Sequence, residues 1–150
     1  MARTAALFLI AVLATALVAS CARQETRVKE AVVGAVQMTK ATDFKMEDAV
    51  KLASPAYKHA AMVASVDLGI PMRDVIAKSK FPLSLFNLVT VPDPKEITVQ
   101  FSGRFARVFI QPEYSQKVLT ADMVRDGRDW YFYLYSPVEE KRYGKFPEFK

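Results

Sequence analysis

The sequence predicts an α+β domain in which helices come first and an antiparallel sheet follows. Apolar residues recur at helical spacing as far as residue 76, and the pattern changes to strand-like alternation after residue 84. The Asp-Gly pair at 126–127 marks a tight hairpin. A run of helices followed by a run of neighbouring strands is the pattern of α+β folds.

Composition places the chain among globular proteins of one domain. Of its 150 residues, 51% are hydrophobic and 25% are charged, which is the balance of a folded protein. The formal net charge is +5, but acids and bases alternate along the chain without a long block of one sign. This distribution argues against a nucleic-acid partner.

Residues 1–20 have the features of an export signal. Arg3 gives a positive start, and Ala5–Ala19 is apolar apart from one threonine. This run is shorter than the roughly 20 apolar residues of a membrane-spanning helix, so it is typical of a signal peptide. Cys21, the only cysteine of the chain, follows directly.

The sequence Val18-Ala19-Ser20-Cys21 resembles the lipobox of bacterial lipoproteins, in which an aliphatic and two small residues precede the lipidated cysteine. The resemblance implies cleavage between Ser20 and Cys21 and a diacylglycerol on the Cys21 thiol, which no other cysteine competes for. In many such lipoproteins an aspartate directly after the cysteine causes retention in the inner membrane. This chain has Ala22 at that position, which favours the periplasmic leaflet of the outer membrane. In the alternative, an ordinary signal is cleaved nearby and Cys21 is incidental.

These features divide the chain into four parts. In order they are a signal peptide (1–20), the lipidated cysteine with a short spacer (21–24), the α+β domain (25–136) and a C-terminal tail (137–150). Arg23, Arg27 and Lys29 lie beside the expected anchor, where anionic head groups attract basic side chains. The membrane is therefore the first expected partner.

Four helices are predicted before residue 80. The first covers 25–39, and Asp43 is the expected cap of a second over 46–53. Ser54 and Pro55 are the N-cap and first residue of a third helix, which runs to Leu68. A fourth starts at Pro71.

Alternation and turn residues predict the strands. The expected strands, in order, are 84–91, 97–101, 105–111, 116–125 and 130–135. Ser102-Gly103 and Asp126-Gly127 are the predicted turns of two hairpins, each of which connects two neighbouring strands.

Three stretches resemble nuclear-transport-factor-two-like (cystatin-like) domains. They are TDFKMEDAVKLASPAY, with Asp43, Phe44, Ala49, Leu52, Ser54, Pro55 and Tyr57 at similar places, ITVQFSGRFARVFI, and MVRDGRDWYFYLYSP. The resemblance covers about residues 25–136 and implies helices packed on a curved antiparallel sheet of four to five strands, around a cone-shaped cavity. Some members are ketosteroid isomerases or dehydratases and many only bind ligands, so the fold does not decide the function.

No catalytic or metal-binding motif is present in the sequence. His59 is the only histidine and has no evident orienting partner, so we expect it to be an ordinary helix residue. Asp122, Asp126 and Asp129 surround a hairpin turn without the spacing of a calcium loop. We therefore expect no metal, no cofactor and no enzyme activity.

Two groups of residues are candidates for binding. Tyr131, Tyr133 and Tyr135 alternate along the last strand and lie on one face, where tyrosines combine apolar area with a polar tip. The alternative is that the tail, with its own aromatic residues, covers this face. Tyr57, Asp67 and Tyr114 are candidates for the wall of a cavity.

The leading hypothesis is a membrane-anchored, non-catalytic envelope lipoprotein that binds a protein partner or a small amphiphile through its sheet or cone. One alternative is an enzyme of the ketosteroid isomerase or dehydratase type, which needs a carboxylate of raised pKa in the cone. Another is a structural or assembly factor of the envelope that uses the tyrosine face.

Overall fold

The computed structural model describes the backbone of residues 2–149 and the side-chain surroundings of residues 20–149. The expected signal peptide, residues 1–20, therefore lies almost wholly outside the residues whose side chains are described. Among the described residues, no helix has both the length and the apolar character needed to cross a membrane.

The first half of the chain is helical. Its helices are α1 (Ala2–Thr39), α2 (Pro55–Asp67) and α3 (Met72–Ala77), with 3-10 helices at Met46–Leu52 and Leu83–Asn87. Residues 22–24, expected to be a spacer, continue α1 without a break. Ser54 caps α2 and Pro55 is its first residue, as predicted.

The second half forms one open antiparallel sheet. Its strands are β1 (Ile97–Ser102), β2 (Phe105–Ile110), β3 (Leu119–Asp126) and β4 (Asp129–Phe132), and a 3-10 helix at Pro94–Glu96 precedes them. They pair in the order β1-β2-β3-β4, so each strand lies beside its neighbour in the chain. The α+β class with helices before a four-stranded antiparallel sheet is thus confirmed, and the arrangement is consistent with a cystatin-like domain.

Glycines permit both predicted hairpin turns. Gly103 and Gly127 have φ values of 60° and 64°, a region that side chains with a Cβ atom rarely enter. The C-terminal tail, 137–150, contains a further helix, α4 (Pro137–Tyr143).

The core lies between α1 and the inner face of the sheet. Val28, Val32 and Val36 of α1 are completely buried. They belong to the same cluster as the inward-facing residues of the strands, which include Ala106, Val108, Ile110, Ala121, Met123, Trp130 and Phe132. Apolar side chains therefore fill the space beneath the sheet.

Two local predictions are wrong. Residues 84–91 do not form a strand, because Leu85 and Leu88 are three positions apart and the 3-10 helix buries both on one side. Asp43 does not cap the 46–52 helix. Instead the carboxylate of Asp48 accepts a hydrogen bond from the Lys45 backbone N–H at 3.1 Å.

Strand ends also differ from the prediction. The fourth predicted strand, 116–125, corresponds to β3 and begins at Leu119 rather than 116, and β4 ends at Phe132 rather than 135. Tyr135 has φ 59°, which no regular strand adopts, so the chain leaves the sheet there.

Candidate functional site

An open pocket of about 420 Å³ lies between α2, α3 and the segment 134–136 that follows β4. Ala64, Ile70, Val75 and Leu134 form an apolar wall, and the ring of Tyr57 is part of the lining. Ligand sites in proteins commonly measure about 300–1,000 Å³ and are mostly apolar with a few polar groups. We call this cavity the α2–α3 pocket.

Two lysines line the α2–α3 pocket. Lys78 and Lys80 are exposed, and neither has a carboxylate within 4.0 Å among the side chains that the structure describes. The Nζ atom of Lys80 is 5.3 Å from the centroid of the Tyr135 ring, within cation–π range. The pocket thus combines an apolar wall with two unpaired positive charges.

The cap of α2 positions Tyr57. The Ser54 hydroxyl accepts a hydrogen bond from the Tyr57 backbone N–H at 3.3 Å, which starts the helix at Pro55. The Tyr57 hydroxyl donates to the carbonyl of Val75 in α3 at 3.5 Å. Burial raises the pKa of Tyr57, so its hydroxyl stays protonated and available as a donor.

Tyr135 connects the α2–α3 pocket with the outer face of the sheet. Its hydroxyl donates to Oδ2 of Asp122, and Arg107 holds the same carboxylate through Nε at 2.7 Å and Nη2 at 3.0 Å. Burial is the largest cause that raises the pKa of Tyr135, and the hydrogen bond to Asp122 adds to it. Arg107, Asp122 and Tyr135 therefore form one bonded group.

The C-terminal tail covers Tyr133 and Tyr135 on this outer face. The ring of Phe146 lies 5.3–5.5 Å from the rings of Phe105, Tyr133 and Tyr135. Tyr133 is only 2% exposed, and its hydroxyl donates to the Gly144 carbonyl at 3.0 Å. The expected row of three tyrosines is thus not an open face, because Tyr133 is buried and Tyr131 and Tyr135 are half-buried.

The guanidinium of Arg107 also holds the tail. Its Cζ atom is 5.3 Å from the ring centroid of Phe146 and 5.2 Å from that of Phe149. A planar guanidinium can pair with a carboxylate along its edge and stack on aromatic rings with its faces. Arg107 thereby joins the sheet to the last residues described.

Only one of the three residues predicted to line a cavity lies at the α2–α3 pocket. Tyr57 lines it, but Asp67 is exposed at the end of α2, and Ile70 beyond the turn at Gly69 is part of the wall instead. Tyr114 is 53% exposed in the β2–β3 loop, where it lines a separate open cavity and its hydroxyl accepts a hydrogen bond from the Val89 backbone N–H. His59 is exposed on α2, and Cys21 is exposed on α1.

Glu139, which was not predicted from the sequence, is a completely buried carboxylate beside the pocket. It accepts four hydrogen bonds, from Ser54 Oγ, Leu134 N, Ser136 N and Ser136 Oγ, at 2.6–3.1 Å. The sequence Ser136-Pro137-Val138-Glu139 is a capping box, a signal that predicts the bonds to Ser136. Nothing local predicts the bond to Ser54.

Comparisons with protein-family models, with curated proteins and with solved structures give no significant match for this chain.

Proposed function

We propose that this protein is a lipid-anchored, non-catalytic protein of the bacterial cell envelope that binds a small anionic amphiphile in the α2–α3 pocket. The observation that carries the proposal is the combination of an apolar wall with the unpaired lysines Lys78 and Lys80. An aliphatic chain gains by leaving water for such a wall, and a carboxylate or phosphate head is attracted to the lysines.

The anchor part of the proposal rests on Cys21. Its side chain is exposed at the N-terminal side of the domain, where a lipidating enzyme can reach it. We place the protein in the periplasmic leaflet of the outer membrane, on the lipobox resemblance and on Ala22. The helices-first order and the four-stranded sheet support membership in the nuclear-transport-factor-two-like group.

The enzyme alternative receives less support. Chemistry of the ketosteroid isomerase type needs a carboxylate that is buried and free to move a proton. In the described part of the chain the side chains beneath the sheet are apolar, and buried Glu139 has its two oxygens occupied by four donors. An assembly role for the face formed by Tyr131, Tyr133 and Tyr135 requires the C-terminal tail to detach first, because the tail covers Tyr133.

Two measurements test the proposal separately. The intact mass of protein extracted from membranes should lack residues 1–20 and include acyl chains, and a Cys21→Ser chain should carry none. An unlipidated mature protein would refute the anchor without affecting the pocket.

The pocket is tested with dodecanoate and dodecanol, which share an aliphatic chain and differ in head-group charge. Ala64→Phe places a ring in the apolar wall and should weaken binding of both ligands at least tenfold. Lys80→Gln should weaken only dodecanoate, and Lys45→Gln, an exposed lysine elsewhere, is the matched control. Binding that is equally strong in the wild type and in Ala64→Phe would refute the pocket.

A further inference from the structure

Both hairpin turns with Gly-Arg sequences lie at one end of the sheet. In an antiparallel meander the β1–β2 and β3–β4 turns fall on the same side, and here the Arg125 backbone N–H donates to the Arg104 carbonyl at 2.8 Å. Arg27 of α1 reaches the same place, because its Nη1 donates to the Arg128 carbonyl at 3.2 Å. We call this the basic end of the domain.

The basic end carries an excess of unpaired positive charge. Its arginines without a carboxylate within 4.0 Å, among the described side chains, are Arg23, Arg27, Arg104, Arg125 and Arg128. Of the nearby acids, Asp126 is held by Arg142 at 3.0 Å and by the Tyr143 hydroxyl at 2.8 Å. Glu25 is paired with Lys29 at 2.8 Å, so among the described acids near this end Asp129 and Glu30 remain to oppose five arginines.

The basic end is also the end next to Cys21. Helix α1 passes through Cys21 and Arg27 without a break. At a rise of about 1.5 Å per residue, six residues separate the two Cα atoms by only about 9 Å along the helix axis. Charges this close to a lipid surface are within a Debye length, which is about 8–10 Å at physiological salt.

An exposed aromatic residue accompanies these charges. Phe101, near the β1–β2 turn, is 37% exposed, and its ring centroid is 5.6 Å from that of Trp130. An aromatic ring among basic side chains is a common composition for surfaces that lie in the interfacial region of a bilayer.

We propose that the basic end is a docking surface for the anionic head groups of the leaflet that carries the Cys21 anchor. The arginines then fix the orientation of the domain, with both hairpin turns on the lipid surface. The inference rests on the lipid anchor proposed above, and it adds an orientation that the anchor alone does not give.

Energy transfer from Trp130, the only tryptophan, to a dansyl head-group lipid tests this orientation. Membrane-extracted full protein is reconstituted into phosphatidylcholine vesicles with and without phosphatidylglycerol. We expect higher transfer on the anionic vesicles and loss of this increase at high salt. The triple variant Arg104→Gln, Arg125→Gln, Arg128→Gln should reduce the increase at least threefold.

A matched triple variant removes the same charge from the opposite end. Lys40, Lys45 and Lys117 are exposed and lie away from the hairpin turns, so their replacement by Gln should preserve the increase. Unfolding curves of both triple variants exclude a loss of fold as the cause.

The outcomes separate the two proposals. Retention on both vesicle types with equal transfer, or equal loss in both triple variants, overturns the docking surface and leaves the anchor intact. Absence from neutral vesicles refutes the anchor. In that case the docking surface is still supported if the wild-type protein stays on anionic vesicles and only the arginine variant is lost from them. If the wild-type protein stays on neither type of vesicle, both the anchor and the docking surface are overturned.

Discussion

Ser54 and Glu139, 85 residues apart, are joined by a 2.6 Å hydrogen bond between Ser54 Oγ and Glu139 Oε1, and both residues are completely buried. Ser54 is the N-cap of α2, and Glu139 is in the first turn of α4. One carboxylate therefore connects the cap of a helix in the first half of the chain with the helix of the tail. Because the pocket lies between α2 and the segment that leads into α4, this bond holds two of its sides together.

Removal of this carboxylate should destabilise the domain strongly. Glu139→Ala leaves the donors of buried Ser54 and Leu134, and of half-buried Ser136, without an acceptor, and each loss of a buried acceptor costs about 1–3 kcal/mol. We expect the free energy of unfolding in urea to fall by at least about 3 kcal/mol, and by less in Glu139→Gln, which keeps one oxygen. Glu140→Gln, an exposed neighbour, should change it by less than about 0.5 kcal/mol. Equal curves for Glu139→Ala and Glu140→Gln would contradict this role.

Loss of the Asp122 charge should loosen the tail. Asp122→Asn removes the bidentate partner of Arg107 and the charged acceptor of Tyr135, so the Arg107 guanidinium is no longer fixed against Phe146 and Phe149. We expect hydrogen exchange in residues 144–149 to become several-fold faster while exchange in β2 and β3 changes little. Asp129→Asn, on an exposed acid, is the control, and unchanged exchange in Asp122→Asn would show that the tail is held by apolar contacts alone.

Stability should fall at alkaline pH because of Tyr133. Burial, with the nearby charges of Glu139 and Glu140, raises the pKa of Tyr133 to about 12, above its ordinary value of about 10. The unfolded chain therefore loses this proton at lower pH than the folded one, and the stabilising contribution, present below pH 10, is lost between pH 10 and 12. Urea unfolding across this range should show the decline, and Tyr133→Phe should make it shallower, while Tyr57 and Tyr135, whose pKa values are also raised, still contribute to it. Tyr114→Phe, on an exposed tyrosine, should leave the decline in place.

Trp130 buries a large apolar ring in the core, but its indole N–H makes no hydrogen bond with the described residues. The side chain is 6% exposed, and its Nε1 has no partner among the described residues. Trp130→Ala should cost about 3–5 kcal/mol of unfolding free energy through the cavity it leaves. Trp130→Phe loses some area but also removes the unpaired N–H, so its cost should stay below about 1.5 kcal/mol. A similar cost for both variants, measured by calorimetry, would show that the indole N–H finds a partner.

Elements with local signals could be predicted well from the sequence. Ser54 and Pro55 start α2 as expected, because a cap and its acceptors lie within three residues of each other. Gly103 and Gly127 mark the two hairpins, because a positive φ excludes most other residues. The prediction of a strand at 84–91 failed because the local pattern is ambiguous there, since a short apolar run fits a strand and a 3-10 turn equally well.

The sequence by itself thus determined the α+β order, the cap of α2 and the two glycine hairpin turns. Only the tertiary structure decided which distant segments meet. It joins Glu139 to Ser54, places Phe146 over Tyr133, assembles the pocket from α2, α3 and the residues after β4, and gathers Arg27, Arg104 and Arg128 at one end. Local signals arise from contacts a few residues apart, which the sequence displays directly. Contacts between distant segments depend on how the sheet and helices pack, and a single sequence does not display that packing.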